Sequence, residues 1–234
     1  MRIFLTGATG FIGSALVPEL INAGHQVIGM TRSDAGAHAL VDAGADAHRG
    51  TLEDLESLRS GAAKADAVIH LAFDHDFSKF VENCEKDKRA IAALGSALAG
   101  SERPLLITSG TGMGSAGPGE PAVETVFNAN HPHPRIASEV AGNALLEAGE
   151  RGARYHAVGE EGVGMREIAE ALGRGLKLPV VSIAPEEAAA HFGWMAMFVG
   201  ADMPASSAWT QARLGWHPTG PTLIADLNEA RYSA

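Results

Sequence analysis

Short apolar runs and longer stretches with a three-to-four-residue apolar rhythm alternate along the first half of the chain. The runs predict strands at 2–6, 26–31, 45–48, 67–71 and 104–108. The stretches between and after them predict helices at 11–23, 34–43, 52–61, 77–99 and 135–149. Strands alternating with helices give a parallel sheet covered on both faces. Pro18 lies inside the first helix, where it bends the helix or costs a backbone bond. Gly114 to Pro121 and Asn128 to Pro134 are loop-like, rich in glycine or proline. Beyond them the pattern predicts a helix at 164–175, a strand at Val180-Val181-Ser182-Ile183 and a proline-started helix from Pro185. The expected fold class is α/β: a doubly wound parallel sheet over residues 1–150 and a small C-terminal α/β lobe over 151–234.

The junction of the first strand and first helix carries candidate chemistry. It reads Thr6-Gly7-Ala8-Thr9-Gly10-Phe11-Ile12-Gly13. Gly7 can take the tight turn, Gly10 lets backbone approach a pyrophosphate, and Gly13 lets helix pack on strand. The helix start adds free N–H groups and a positive dipole end for phosphates. The spacing, Gly-x-x-Gly-x-x-Gly, departs from the usual dinucleotide fingerprint. A preceding strand, a following helix and a second strand at 26–31 make a dinucleotide site the better reading than an ordinary glycine-rich connection.

Cofactor choice is read after the second strand. A carboxylate there would bond the ribose hydroxyls of NAD. Thr31-Arg32-Ser33 stands there instead. The Arg32 guanidinium suits a 2′-phosphate and Ser33 can add a hydroxyl, which points to NADP(H) rather than NAD(H). A solvated loop arginine is the bland alternative.

The formal net charge of −10 over 234 residues argues against a nucleic-acid partner. No apolar run is long enough to span a bilayer, and the N-terminus reads as a core strand rather than a signal peptide. Cys84 is the only cysteine, which excludes an internal disulfide and fits a cytoplasmic location. It reads as packing on an amphipathic helix, not as a nucleophile. Asp74-His75-Asp76 and the pair His131 and His133 lack a clear third ligand, so no metal is expected. Phe192, Trp194, Met195, Met197 and Phe198 form an apolar patch, more often core packing than pocket lining.

Taken in order, these segments resemble the short-chain dehydrogenase/reductase superfamily, most of all its extended branch of NAD(P)-dependent epimerase/dehydratase-like proteins. Thr6 to Gly13 resembles the cofactor turn. Val68-Ile69-His70-Leu71-Ala72 resembles the fourth strand and its cofactor-facing end, and Leu105-Leu106-Ile107-Thr108-Ser109-Gly110 the fifth. Gly215-Trp216-His217-Pro218 resembles a C-terminal signature of extended members. The resemblance implies cofactor contacts from Gly7, Thr9, Gly10, Phe11, Ile12, Gly13, Thr31, Arg32, Ser33, Leu52, Leu71, Ala72, Phe73 and Thr108. Leu52 falls where the family often has an aspartate against adenine.

The family's chemistry uses a Tyr-x-x-x-Lys pair, and this chain has none: its tyrosines are Tyr155 and Tyr232. Ser109 falls at the family's substrate-positioning hydroxyl. With Glu139 taken as the usual helix glutamate, Arg135 falls at the lysine position and His131 at the tyrosine position. Arg135 could hold a ribose or phosphate but is no proton relay. His131 could transfer a proton, or His131-Pro132-His133-Pro134 is simply a loop. His70, ending a strand, reads as structural. Several tens of family residues are missing between about 140 and 152, where a segment wraps the nicotinamide, and Gly152-Ala153-Arg154-Tyr155-His156-Ala157-Val158 resembles the late strand that begins the C-terminal lobe. The resemblance thus implies a Rossmann-type domain over 1–150 and a small C-terminal α/β substrate lobe over 151–234.

The resulting expectation is an NADP(H)-dependent oxidoreductase acting on a small carbonyl or hydroxyl substrate. The alternatives are a non-catalytic NADP(H)-binding or redox-sensing protein and a sugar-nucleotide epimerase/dehydratase-like enzyme. The resemblance also implies a homodimer built on helices 77–99 and 135–149, with Ile91, Leu94, Leu98, Leu145 and Leu146 as its apolar stripe.

Overall fold

The computed structural model describes residues 1–115, 117, 119–147 and 153–229. The first half of the chain alternates β1 (Arg2–Thr6), α1 (Phe11–Asn22), β2 (Gln26–Thr31), α2 (Asp34–Asp42), β3 (Asp46–Arg49), α3 (Leu55–Ala63), β4 (Ala67–His70), α4 (Phe80–Leu98) and β5 (Leu105–Ile107); α5 (Ile136–Glu147) follows. The strands form one parallel sheet in the order β3-β2-β1-β4-β5. From β1 the chain first winds outward through β2 and β3, then returns to place β4 on the other side of β1. The reversal opens a crevice at the C-terminal ends of β1 and β4, where open α/β sheets bind ligands.

Successive residues of a strand face opposite sides, and β1 shows the consequence. Phe4 joins Leu58, Val68, Ala90 and Leu94 in one core cluster; Leu5 joins Ala8, Val17, Val27 and Leu40 in the other. Every strand residue of β1 after Arg2 is buried, as a sheet covered on both faces requires.

Local rules moved some boundaries. α3 begins at Leu55 rather than 52 because the Asp54 carboxylate accepts the Ser57 N–H as an N-cap. α4 begins at Phe80, after a single tight turn over Phe77–Lys79. α1 runs through Pro18, so the Ser14 carbonyl lacks its usual helical donor. The expected end of α5 at 148–149 lies outside the described residues.

The apolar stripe expected at a dimer interface is spent elsewhere. Ile91, Leu94 and Leu98 are buried in the chain's own core. Leu145 packs its side chain over Gly95 of α4, where even a methyl group would collide with it. Leu146 lies outside the described side chains.

Contacts divide the chain into two compact units: Met1–Gly110 with Ala129–Gly152, and Thr111–Asn128 with Ala153–Ala234. Thr111–Asn128, expected with the first domain, therefore groups with the second. Within the second unit Ala122 bridges Ala205, the Thr210 N–H donates to Glu124 Oε1 at 3.0 Å, and the Arg154 guanidinium lies over the Phe127 ring.

The second unit contains α6 (Met165–Leu176), α7 (Ala188–Phe192), α8 (Ala196–Val199), α9 (Ala208–Leu214) and α10 (Leu223–Glu229). Two expected strands are absent from it. Residues 153–158 and 180–183 form no ladder. Side chains satisfy backbone groups of the first stretch: the His156 N–H donates to Thr210 Oγ1 and the Val158 carbonyl accepts from Ser207 Oγ. In the second, Val180 touches Gly173 of α6 while Val181 is 70% exposed. A strand needs a partner, and neither stretch has one among the described residues.

Candidate functional site

The C-terminal ends of β1, β4 and β5 bring most of the expected site residues of the first unit to one edge of the sheet. β1 runs into the glycine turn. Gly7 sits at φ +70°, a region closed to most side chains, and a Cβ there would lie 2.8 Å from the Ala72 backbone nitrogen. A Cβ on Gly13 would lie 2.1 Å from the Gly7 carbonyl oxygen, so Gly13 lets α1 pack against the turn. Gly10 differs: a Cβ there would meet only the Gly7 carbonyl, at 3.2 Å. Its open side faces away from the protein.

The same turn fits a pyrophosphate on three counts. Gly10 is the N-cap of α1 and supplies no side-chain acceptor, so the first-turn N–H groups await one from outside. The space above Gly10 is what a Cβ would fill. Phe11, the first residue of α1, is 97% exposed, and Ile12 beside it is also exposed. Thr9 shares that exposed rim.

Leu71 and Ala72, following β4, are tied to β1. The Leu71 N–H donates to the Thr6 carbonyl at 3.3 Å and the Ala72 N–H to Thr6 Oγ1 at 3.2 Å. Thr108, following β5, donates both its N–H and its hydroxyl to the His70 carbonyl at 3.1 Å. Ser109 comes next. Its Oγ is buried and has no hydrogen-bond partner among the described residues.

At the end of β2, Thr31 is buried while Arg32 and Ser33 are exposed. Ser33 caps α2 by accepting the Gly36 N–H at 3.0 Å. Lys86 bridges Asp74 and Glu53 at 2.6 and 2.7 Å. The Asp74 carboxyl is held below its ordinary range, first by that Lys86 bond and more weakly by the charge of Arg32. Leu52 is half-buried and packs against the core.

Beneath this edge lies a polar network that sequence reasoning missed. Asp87, on the inward face of α4, is 0% exposed. Its Oδ1 meets His70 Nε2 at 3.0 Å; its Oδ2 accepts from Arg135 Nη1 and Ser138 Oγ, both at 2.6 Å. His70 Nδ1 is 2.7 Å from Thr6 Oγ1. A carboxylate only accepts, so Nε2 carries a proton toward Asp87. Burial works to raise the Asp87 carboxyl, but the His70 bond, the Arg135 charge and the Ser138 bond together hold it below its usual value. The sequence did carry a signal: a charged residue standing among Cys84, Ala90 and Ile91 on the buried face of a helix is almost never fully buried unless paired.

This network redefines Arg135. Nη1 donates to both Asp87 and Ser138 Oγ, Nη2 donates to the Thr108 carbonyl at 2.9 Å, and the guanidinium lies 4.1 Å from the Phe73 ring centroid. Its charge is matched by Asp87 and its fork is committed to protein acceptors, which leaves little of it for a ribose or phosphate. His70, expected to be structural, is a member of the same network. His131 sits before α5; its Nδ1 accepts the His133 N–H at 3.2 Å, and the two rings are 6.4 Å apart. The His133 imidazole is pushed down by burial first and then by the neighbouring His131 and Arg135.

A family model for the NAD dependent epimerase/dehydratase family matches residues 3–135. The chain belongs to that family. An uncharacterized protein of Schizosaccharomyces pombe, C2A9.02, is 38% identical over 295 aligned positions, covering 99% of this chain and 100% of that protein. Those positions outnumber this chain's 234 residues, so the relative carries stretches with no counterpart here. A 4-hydroxy-2-methyl-3-oxo-4-farnesyl-3,4-dihydroquinoline-1-oxide ketoreductase of Stigmatella aurantiaca is 38% identical over 72 residues, 31% of this chain and 22% of that protein. In fold, the chain is similar to the Bordetella bronchiseptica enzyme WbmH, solved with NAD+: the TM-score is 0.68 at 13% identity, covering 98% and 96% of the two chains. Among the described residues no helix is long and apolar enough to cross a membrane.

Proposed function

We propose that this chain is an NADP(H)-dependent oxidoreductase acting on a small carbonyl or hydroxyl substrate. The observation that carries the reading is the pairing of two features on one sheet edge: a glycine turn shaped for a pyrophosphate and the buried, unpartnered Ser109 hydroxyl. A buried hydroxyl without a partner is costly unless a ligand completes it. Family membership and the partial match to a ketoreductase support the same chemistry.

The dinucleotide when bound would supply hydride chemistry at its nicotinamide; the chain binds it and arranges the other reactant. The backbone of Gly7, Gly10, Phe11, Ile12 and Gly13 would hold the pyrophosphate, with Thr9 at the rim of the turn. Thr31, Arg32 and Ser33 would serve the adenosine ribose, Leu52 the adenine, and Leu71, Ala72, Phe73 and Thr108 the inner ribose side. Ser109 Oγ donates to the substrate oxygen. With the dinucleotide supplying the hydride chemistry, the chain's own task would be to deliver a proton to the substrate oxygen in the reducing direction and to remove it in the alcohol direction. His131 is the proton carrier we assign. Its Nδ1 is engaged by the His133 N–H, which leaves Nε2 to exchange a proton with substrate or water. Arg135 acts behind these groups, holding the Thr108 carbonyl one residue before Ser109.

One observation favours a second reading, a non-catalytic NADP(H)-binding or redox-sensing protein. The residue at the family's lysine position, Arg135, is spent on Asp87. Epimerase/dehydratase-like chemistry on a sugar nucleotide remains compatible with the family.

Cofactor titration tests the proposal. NADPH should bind about ten- to hundredfold more tightly than NADH, from one charge-assisted contact to the 2′-phosphate. Arg32→Ala should erase most of that preference while leaving NADH affinity nearly unchanged, and added salt should shrink it. Equal affinities in the parent chain would sink the NADP(H) assignment. NADPH bound without turnover of any carbonyl compound in a broad panel would favour the sensor.

A further inference from the structure

Six aromatic rings line up beside this site, and four of them, His75, Phe77, Phe80 and His133, have no role in the fold's core clusters or in the proposed cofactor contacts. Phe73, three residues after β4, meets His75 at 5.5 Å and Phe80 at 6.1 Å between ring centroids. His75 meets Phe77 at 5.9 Å, and Phe77 meets Phe80 at 5.7 Å. Phe80 meets His133 at 5.4 Å, and His133 meets His131 at 6.4 Å. The series therefore joins the end of β4, the start of α4 and the approach to α5 in one continuous surface. Its two ends touch site residues: His131 is the assigned proton carrier, and Phe73 carries the Arg135 guanidinium that holds the strand end before Ser109.

The rings are not sealed core. Phe73, Phe77 and Phe80 are half-buried and His75 is exposed. None of them belongs to either core cluster. The buried and bridging charges beside the rings are matched: Arg135 by Asp87, and Lys86 by Asp74 and Glu53. Asp76 accepts the Ser78 N–H, and Lys79 is exposed. His133 is held toward its neutral form by burial first and then by His131 and Arg135 beside it. A diphosphate would find π faces here where it needs paired cations, whereas a flat apolar ring would find edges and faces to pack against.

We propose that this aromatic surface is the substrate wall, and that the substrate is an uncharged aromatic carbonyl compound or the corresponding alcohol rather than a sugar nucleotide. The inference rests on the oxidoreductase reading for the chemistry, but binding to the wall can be measured apart from it. The ring of the substrate packs on Phe77 and Phe80, and its carbonyl oxygen reaches Ser109 Oγ.

The test uses the full chain with 2-naphthaldehyde and acetophenone as aromatic probes, glyceraldehyde as an aliphatic one and UDP-glucose as a sugar nucleotide. Saturation-transfer NMR reports binding with and without NADP+, and NADPH consumption reports turnover. Aromatic probes should bind in preference to the other two. Phe77→Leu, which keeps apolar bulk and removes the ring, should weaken aromatic binding about tenfold and leave glyceraldehyde unchanged. Phe77→Tyr should restore it. A Phe77→Leu chain that binds 2-naphthaldehyde like the parent overturns the proposal, as does UDP-glucose binding where the aromatic probes do not. Failure of NADPH to bind would instead count against the oxidoreductase reading, with the aromatic arm still decided by the cofactor-free NMR.

Discussion

The two units of this chain use buried charge differently. In the first, Asp87 is shut beneath a parallel sheet and compensated from three sides by His70, Arg135 and Ser138. In the second, Glu124 is buried against the N–H and hydroxyl of one residue, Thr210, in a unit whose described residues form no strand ladder. Burial pushes the Glu124 carboxyl up, while the Thr210 bonds, a backbone bond at Glu124 and the charge of His156 together hold it below its usual value. Both carboxylates tie together segments remote in sequence, but only the first sits in a frame whose every strand has a neighbour. Cooperative structure follows from partners, and the first unit has them.

The largest expected effect breaks the stronger network. Asp87→Ala leaves the Arg135 guanidinium buried without its counter-charge, a loss of about 3–5 kcal/mol. Glu124→Ala leaves two neutral donors unpaired and should cost less, about 1–3 kcal/mol. Denaturant unfolding, with hydrogen exchange to assign each loss to its unit, measures both. Equal losses, or a larger one at Glu124, would erase the contrast. Acid probes the same carboxylate. Folded Asp87 binds its proton less readily than unfolded Asp87. Its stabilisation is therefore complete above the ordinary carboxylate range and is lost as pH falls through that range toward the lowered folded value. Thermal melts from neutral pH downward should show the decline, and Asp87→Asn should flatten it while lowering stability at neutral pH.

A smaller effect sharpens the contrast in packing. The Cβ of Gly142→Ala, on α5, would fall 2.5 Å from Ile107 Cδ1, while at Gly159 in the second unit a Cβ meets nothing within 4 Å. Because the obstacle is a side-chain tip that can shift, Gly142→Ala should cost about 1–3 kcal/mol. Gly159→Ala should fall within about 0.5 kcal/mol of the parent. Thermal denaturation of the two variants side by side decides the matter.

The same contrast explains what the sequence could say. The β1–β5 runs were legible because each lies among other such runs, and hydrophobic pattern fixes a parallel strand buried on both faces. The glycine turn was legible because turn chemistry is local. The Asp87–Arg135 pair was not, because Arg135 stands 48 residues further along the chain and only the fold brings the two together. The stripe of Ile91, Leu94 and Leu98 was legible as a stripe, but periodicity does not say whether the covering surface is the chain's own sheet or another copy. The strands expected at 153–158 and 180–183 failed for a related reason. Propensity marks a segment that can pair, and pairing needs a neighbour that the described part of this chain does not provide.

Val181 gives the smallest effect and the most direct check on that last point. In a paired strand facing a core, a β-branched apolar residue packs across the ladder, and Val→Thr would bury a hydroxyl in place of a methyl group. Here Val181 is 70% exposed and 180–183 pair with no strand among the described residues. Val181→Thr should therefore change stability by no more than about 0.5 kcal/mol, the range of ordinary surface substitutions. A loss above about 1 kcal/mol would mean that 180–183 form a buried strand in solution, and that the second unit is sheet-built like the first.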